Sequence, residues 1–206
     1  MALCTLKVIN SSLFGINLMA YFQDIALNEG FGVAQILLSA SDFDDRERYD
    51  NLSNVFKELN SKKIVPIINE NDSVTVDEIK IGDNDRLAAK VAQICDSDLL
   101  VLLSDIDGLY DKNPHLHEDA RFIERVDNIT KEVEDMASGA SSDYGTGGMA
   151  TKITAAKMAS LSGCQTVIAN GKILNPVAVL MQENAKYTLF EASEKSLGHR
   201  KKFISG

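Results

Sequence analysis

The chain has no tryptophan, which excludes nothing, but its other scarcities are informative. It holds three cysteines, Cys4, Cys95 and Cys164, among 206 residues. An odd number without a CxxC spacing argues against a disulfide framework and against a thiolate zinc site, and it fits a reducing cytoplasm. No apolar run approaches the ~20 residues needed to cross a bilayer. Residues 1–7 carry no charged region leading into an apolar signal core. A soluble, unexported, cytoplasmic protein with no membrane partner is therefore expected. Basic residues are also outnumbered: 21 Lys and Arg against 30 Asp and Glu give a formal net charge of −9. That balance disfavours a nucleic-acid partner, because phosphate-backbone binding needs clustered cations that release counterions. A local basic groove for a phosphorylated ligand remains compatible with it. Histidines number three. His115 and His117, in NPHLHED, have a metal-like spacing, but His199 is far along the chain; solvated loop histidines are expected and no metal site is assigned.

What is present has ordinary globular proportions, 45% hydrophobic and 25% charged. A length of 206 residues suffices for one sizeable core, so a single domain over 1–206 is expected. Leu18, Phe22 and Ile25 follow the i, i+4, i+7 spacing of a helix face within 17–29, which Gly30 and Gly32 stop. VAQILLS at 33–39 reads as a strand covered on both faces. Tyr49, Leu52, Phe56 and Leu59 draw a helical stripe within 46–63, and 64–68 reads as a second buried strand. Leu87, Val91 and Ile94 mark a helix beginning near Asn84, and LLVLL at 99–103 a third strand. The polar stretch 111–142 reads as a surface excursion with one weak helix at 131–137. A helix from about Met149, a strand at 166–169, a short helix at 175–181 and an edge strand at 187–190 complete the chain. Strands separated by helices predict an α/β fold, a three-layer α/β/α sandwich with a mainly parallel sheet.

Such sheets gather ligands at the carboxyl ends of their strands. INEND, SDIDG and ANG fall at three predicted strand ends and should share one face. The densest of these stretches is PIINENDSVTVDEIKIGDND, 66–85, in which Asn69, Glu70, Asn71 and Asp72 close a strand and Gly82, Asp83, Asn84 and Asp85 precede a helix. Asn and Asp ordinarily serve as turn and cap residues. Their density here exceeds the needs of one turn and one cap, which points to a small-molecule site. Between the clusters, 73–81 alternates as a short hairpin would, in the position of a lid. GTGGMATK at 145–152 has the composition of a phosphate cradle: glycines allow close backbone approach, N–H groups at a helix start attract anions, and Lys152 adds positive charge. It is not a P-loop, since Lys152 follows Thr151 within the helix instead of standing before a Ser or Thr.

PIINEND, IKIGDND, LLVLLSDIDGLYDKNP and GTGGMATKITAAKMA occur in the order, and with nearly the spacing, found in the glutamate 5-kinases of the amino-acid kinase family. On these motifs the chain resembles that family from about Gly32 to Asn170, and more weakly to LGHRKKFISG at its end. This divides the chain into a divergent helical start (1–31), a recognisable core (32–190) and a tail (191–206). The resemblance implies ATP-dependent phosphorylation of the γ-carboxylate of L-glutamate to γ-glutamyl phosphate, the first step of proline biosynthesis. It implies substrate binding by Asp72 and Asn84. It also implies nucleotide binding by Ser104 and Asp105 and by Thr146, Gly147, Gly148, Met149, Ala150, Thr151 and Lys152. Lys152 is implied as the catalytic cation on the transferring phosphoryl group, with Asp85 orienting it. Mg2+ bound mainly through the ATP phosphates and a homo-oligomeric state follow from the same resemblance. An ionised carboxylate acceptor needs positioning and charge neutralisation and little proton chemistry.

Members of the family open with a KxGSS-like strand and loop and a second strand ending in Ser-Gly-Ala, and many continue into a small RNA-modification-type domain. None of these is recognisable in this sequence, so an N-terminally incomplete amino-acid kinase fold is expected. A catalytically inactive remnant that binds glutamate or nucleotide is the alternative reading. Another amino-acid kinase, such as acetylglutamate or uridylate kinase, is opposed by the pairing of INEND with GDND.

Overall fold

A computed structural model describes residues 15–71, 84–139 and 148–193. The first helix, α1 (Gly15–Asn28), lies against β1 (Gly32–Leu38). One turn, α2 (Ser41–Asp44), buries Phe43 and leads into α3 (Arg46–Ser61). Asp45 caps α3, its carboxylate accepting the Arg48 N–H at 2.9 Å. Tyr49 and Phe56 of the expected stripe are buried and Leu52 and Leu59 half-buried. The chain returns as β2 (Ile64–Glu70), parallel to β1 in the register Gly32↔Ile64 to Leu38↔Glu70, so both strands end at the same side.

The central helix is α4 (Asn84–Ile94), followed by β3 (Leu99–Ser104). Two different faces of α4 are buried, because two cores meet on it. Leu87, Val91 and Ile94 pack with Leu38, Phe43, Tyr49, Phe56 and Ile68. Ala88, Ala89 and Ala92 pack in the other cluster with Leu100, Leu102, Ile168 and the alanines of α6 (Met149–Leu161). Alanine on both helices lets their backbones approach closely, and the spacing of packed helices is set by the side chains between them.

The second core is floored by β3, β7 (Gln165–Asn170) and β8 (Tyr187–Phe190). Between β3 and β7 the chain makes two two-residue strands, β4 (Leu109–Tyr110) and β5 (Phe122–Ile123), which form an antiparallel ribbon. β6 (Arg125–Val126) and α5 (Lys131–Gly139) follow them. A short α7 (Pro176–Leu180) packs on β7. The hydrogen-bonded order is β3-β7-β8-β6, with β3 and β7 parallel, β7 and β8 antiparallel, and β8 and β6 parallel. The fold is thus the expected three-layer α/β type with mainly parallel pairing. Among the described residues its strands divide into the β1-β2 pair and the four-stranded sheet, with α4 packed on both.

Two expectations need correction. The strand at 187–190 is internal, between β7 and β6, with Thr188 and Phe190 at 0% and 1% exposure. Its outer neighbour is only two residues long, too short to leave a periodic signal. The stretch 111–142 is likewise more than surface: it supplies β5, β6 and α5, and buries Val126 and Ala137 in the second core. The helices expected at 17–29, 46–63, 131–137 and from Met149 stand within a few residues of their predicted bounds. The hairpin expected at 73–81 lies outside the described residues. Among those described, no helix is long and apolar enough to cross a membrane.

Candidate active site

The strand ends carry the first set of candidate residues. Parallel pairing puts Leu38 beside Glu70 and Ser104 beside Asn170 at the carboxyl ends. The chain leaves β7 through Gly171, whose N–H donates to the Ser104 carbonyl at 2.7 Å. A Cβ on Gly171 would lie 2.9 Å from the Leu103 Cβ, so this crossing is open to glycine alone.

Two helix starts carry the second set. Asn84 and Asp85 open α4, and Gly148, the N-cap of α6, precedes Met149 and Ala150. Gly148 is extended (φ −81, ψ −176) and offers no capping side chain, so the first-turn N–H groups of α6 are not claimed by one. Among the described residues, a Cβ at Gly148 would meet nothing within 4 Å.

Asp85 and Lys152, 67 residues apart, meet across these helices: the Lys152 ammonium donates to Asp85 Oδ2 at 2.9 Å. The Thr151 hydroxyl lies 2.8 Å from the same oxygen and 2.8 Å from the Gly148 carbonyl oxygen. The pair is mostly shielded, with side chains 10% (Lys152) and 16% (Asp85) exposed. Such a pair is costly to desolvate and more costly to break, since removing one partner strands the other charge. An uncapped helix start beside a sheltered ammonium is a donor set suited to an anionic phosphate. This is the fit that the nucleotide expectation requires of the described residues.

Of the other residues named from sequence, Asn84 is half-buried at the first position of α4. Ser104 and Asp105 contact one another, the Ser104 hydroxyl donating to Asp105 Oδ1 at 3.3 Å. Asp105 is exposed and lies 4.0 Å from the Lys172 ammonium. Met149 packs against the second core and Ala150 is exposed. Asp72, Thr146 and Gly147 lie outside the described residues. Among those described, no group of three His, Cys, Asp or Glu side chains is placed to hold a metal ion.

A second polar cluster stands on the loop after β3, where SDIDG and ANG, two of the strand-end stretches marked in the sequence, meet a lysine that was not. Asp107 accepts from Asn170 Nδ2 and from the Lys186 ammonium, each at 3.0 Å. Lys186 also donates to the Tyr110 hydroxyl at 3.0 Å. The same ammonium lies 4.8 Å and 5.5 Å from the ring centroids of Phe122 and Tyr110, within cation–π range. Hydrogen bonds from Asn170 and Lys186 hold the Asp107 carboxyl below the usual carboxylate range. The Tyr110 hydroxyl and Asp107 raise Lys186 above the usual lysine range. SDIDG contains Asp107 and could have suggested it, but an isolated lysine in QENAKY gives no sign of such a partner.

Gly108 sits beside this cluster because the backbone passes against β8; a Cβ there would lie 2.9 Å from the Thr188 amide nitrogen. Buried Thr188 joins the loop to the ribbon, its hydroxyl accepting from the Leu109 N–H at 2.7 Å and donating to the Ile123 carbonyl at 2.6 Å.

The sequence profile of the amino acid kinase family matches residues 10–170, beginning ahead of Gly32, where the motif resemblance starts. A protein of Pelagibacter ubique named glutamate 5-kinase is 45% identical over 194 residues, 94% of this chain and 52% of that protein. One of Agrobacterium fabrum with the same name is 49% identical over 172 residues, 84% of this chain and 44% of that protein. The chain spans about half the length of the curated relatives it matches. Among solved structures, UMP kinase from Ureaplasma parvum superposes with a TM-score of 0.56 at 17% identity, covering 85% of this chain and 66% of that one. An isopentenyl phosphate kinase gives 0.52 at 18%, covering 87% and 67%. At these identities the structural likeness establishes the fold alone.

Proposed function

The chain belongs to the amino acid kinase family, and from that premise we propose that it carries out the ATP-dependent phosphorylation of the γ-carboxylate of L-glutamate, forming γ-glutamyl phosphate at the entry to proline biosynthesis. The observation that carries this reading is the meeting of Asp85 and Lys152 at the starts of α4 and α6. It joins the GDND and GTGGMATK stretches, by which the chain resembles glutamate 5-kinases, at one sheltered ion pair. Relatives bearing that name, at 45% and 49% identity, support it further.

In this reading a γ-carboxylate oxygen of glutamate attacks the γ-phosphorus of ATP, the bond to the bridging oxygen breaks, and ADP leaves. No proton need move, because the acceptor is already ionised near neutral pH. Lys152 is the catalytic cation: its ammonium, held by Asp85, offers its remaining N–H groups to the oxygens of the transferring group. Asp85 orients Lys152. Asp72 and Asn84 hold glutamate. Ser104 and Asp105 on one side, and the segment 146–152 with the uncapped start of α6 on the other, hold the nucleotide. Mg2+ would be carried chiefly by the phosphates of ATP, a usual arrangement for an ion that keeps several of its waters. A homo-oligomer working in the cytoplasm as one domain completes the proposal.

The test is direct. Purified chain, ATP, Mg2+ and glutamate are mixed with hydroxylamine, which traps the acyl phosphate as a hydroxamate. Hydroxamate that depends on both ATP and glutamate is the expected result, and its complete absence from the folded chain would remove the activity from this polypeptide.

A further inference from the structure

We infer that the Thr151 side chain is the exception within the segment 146–152 assigned to the nucleotide above: it is a positioning residue, whose hydroxyl fixes the Asp85 carboxylate for Lys152 instead of binding nucleotide, and the inference rests on the reading of Lys152 given above. Thr151 precedes Lys152 in α6, and both side chains reach the same oxygen, Asp85 Oδ2, at 2.8 and 2.9 Å. The hydroxyl carries one hydrogen, and two acceptors stand at 2.8 Å from it, Asp85 Oδ2 and the Gly148 carbonyl. The carboxylate is the stronger acceptor because charge-assisted bonds are about twice as strong as neutral ones. The hydrogen therefore goes to Asp85, and a Thr151 side chain committed in this way has no donor left for a phosphate.

The arrangement has a mechanical purpose. A carboxylate is free to turn about χ2, and a lysine ammonium on a four-carbon stem follows whichever oxygen holds it. With only Lys152 on Oδ2, both ends of the pair could swing together. The Thr151 hydroxyl, rooted in the first turn of α6, ties that oxygen to the helix that carries Lys152. The ammonium is then held at one place beside the helix start. The hydroxyl also lies against the carbonyl of Gly148, the last residue before α6, so one side chain touches the pair, the helix and the glycine that opens it.

The experiment compares Thr151→Val, nearly the same shape without the hydroxyl, with Thr151→Ser, which keeps it. Three measurements are made on the purified chain: acylation of Lys152 by a limiting amine-reactive reagent, read by peptide mass spectrometry; ATP–Mg2+ binding by calorimetry; and hydroxamate formation. Thermal melts establish that each variant is folded, and Thr151→Ala carries the same comparison if valine is not accommodated. In Thr151→Val we expect Lys152 to acylate about fivefold faster, since the loss of one hydrogen bond to a charged group frees the pair. The turnover number should fall about tenfold with the KM for ATP unchanged. Thr151→Ser should restore acylation and turnover towards the parent values. Unchanged acylation of Lys152 in Thr151→Val, or a raised KM or Kd for ATP with turnover kept, would overturn the inference. If the parent chain forms no hydroxamate, the proposed activity fails, yet the acylation comparison still decides what Thr151 does.

Discussion

Two ion pairs of almost equal length stand on this molecule, Lys152–Asp85 at 2.9 Å and Lys186–Asp107 at 3.0 Å, and they differ in nearly everything else. The first joins the starts of two helices that enclose a core, and its side chains are 10% and 16% exposed. The second joins a loop to the start of β8, with side chains 53% and 35% exposed and water able to screen it. The first spends two donors on a single carboxylate oxygen. In the second, Asn170 and Lys186 each take a different Asp107 oxygen, and the Lys186 ammonium also faces two rings. Distance alone therefore says little about what an ion pair contributes. Shielding and the number of groups sharing one atom set the cost of losing it, and only the shielded pair concentrates an ammonium where a phosphoryl group could use it.

The comparison breaks most visibly at Lys152. Lys152→Ala should lower hydroxamate formation by at least about two orders of magnitude, the usual loss when one charged transition-state donor is removed. It should also lower unfolding free energy by on the order of 2 kcal/mol, because Asp85 keeps Thr151 but loses its counter-ion. Turnover kept within about threefold of the parent, measured by the trapped hydroxamate, would reduce the sheltered pair to a structural contact.

Thr188 tests whether the second region depends on its ion pair or on what lies beneath it. Thr188 is fully buried and supplies both an acceptor for Leu109 and a donor for Ile123. Thr188→Val keeps the shape and leaves both backbone groups short of a partner, at a cost of about 2 kcal/mol. Urea denaturation measures it. A loss under about 0.5 kcal/mol would mean that the ribbon and β8 are held by packing alone.

These two regions were also unequally legible in the sequence. Helices α3 and α4 carry apolar stripes long enough for their period to be read, and the acidic and glycine-rich stretches at the starts of α4 and α6 were marked by residue type. That Asp85 would face Lys152 could not come from spacing, since they are 67 residues apart; only the resemblance of the two motifs suggested it. The second region left a fainter trace: SDIDG and ANG marked Asp107 and Asn170 by residue type, but nothing marked what they meet. Two-residue strands have no period, Thr188 looks like any strand threonine, and Lys186 becomes informative only once β8 is placed beside the loop after β3. The internal position of β8 was missed for the same reason, because the strand that covers its outer edge spans two residues.

The smallest expected effect is at Lys186 itself. Lys186→Met removes the ammonium and keeps much of the apolar stem over Phe122 and Tyr110, so the loss should stay below about 1 kcal/mol, as for other exposed pairs. Its dependence on pH is the sharper measurement. The Asp107 carboxyl is held low in the folded chain, so its contribution is complete above the unfolded value near ~3.9 and disappears as pH falls through the lower folded value. Lys186 is held high, so its contribution is complete below the unfolded value near ~10.4 and disappears as pH rises through the higher folded value. The difference in Tm between parent and Lys186→Met should therefore be constant from about pH 5 to pH 9 and narrow only at the two extremes. A difference that changed between about pH 6 and pH 8 would mean that some group other than these two titrates in the cluster, and the contrast with the sheltered pair would have to be redrawn around that group.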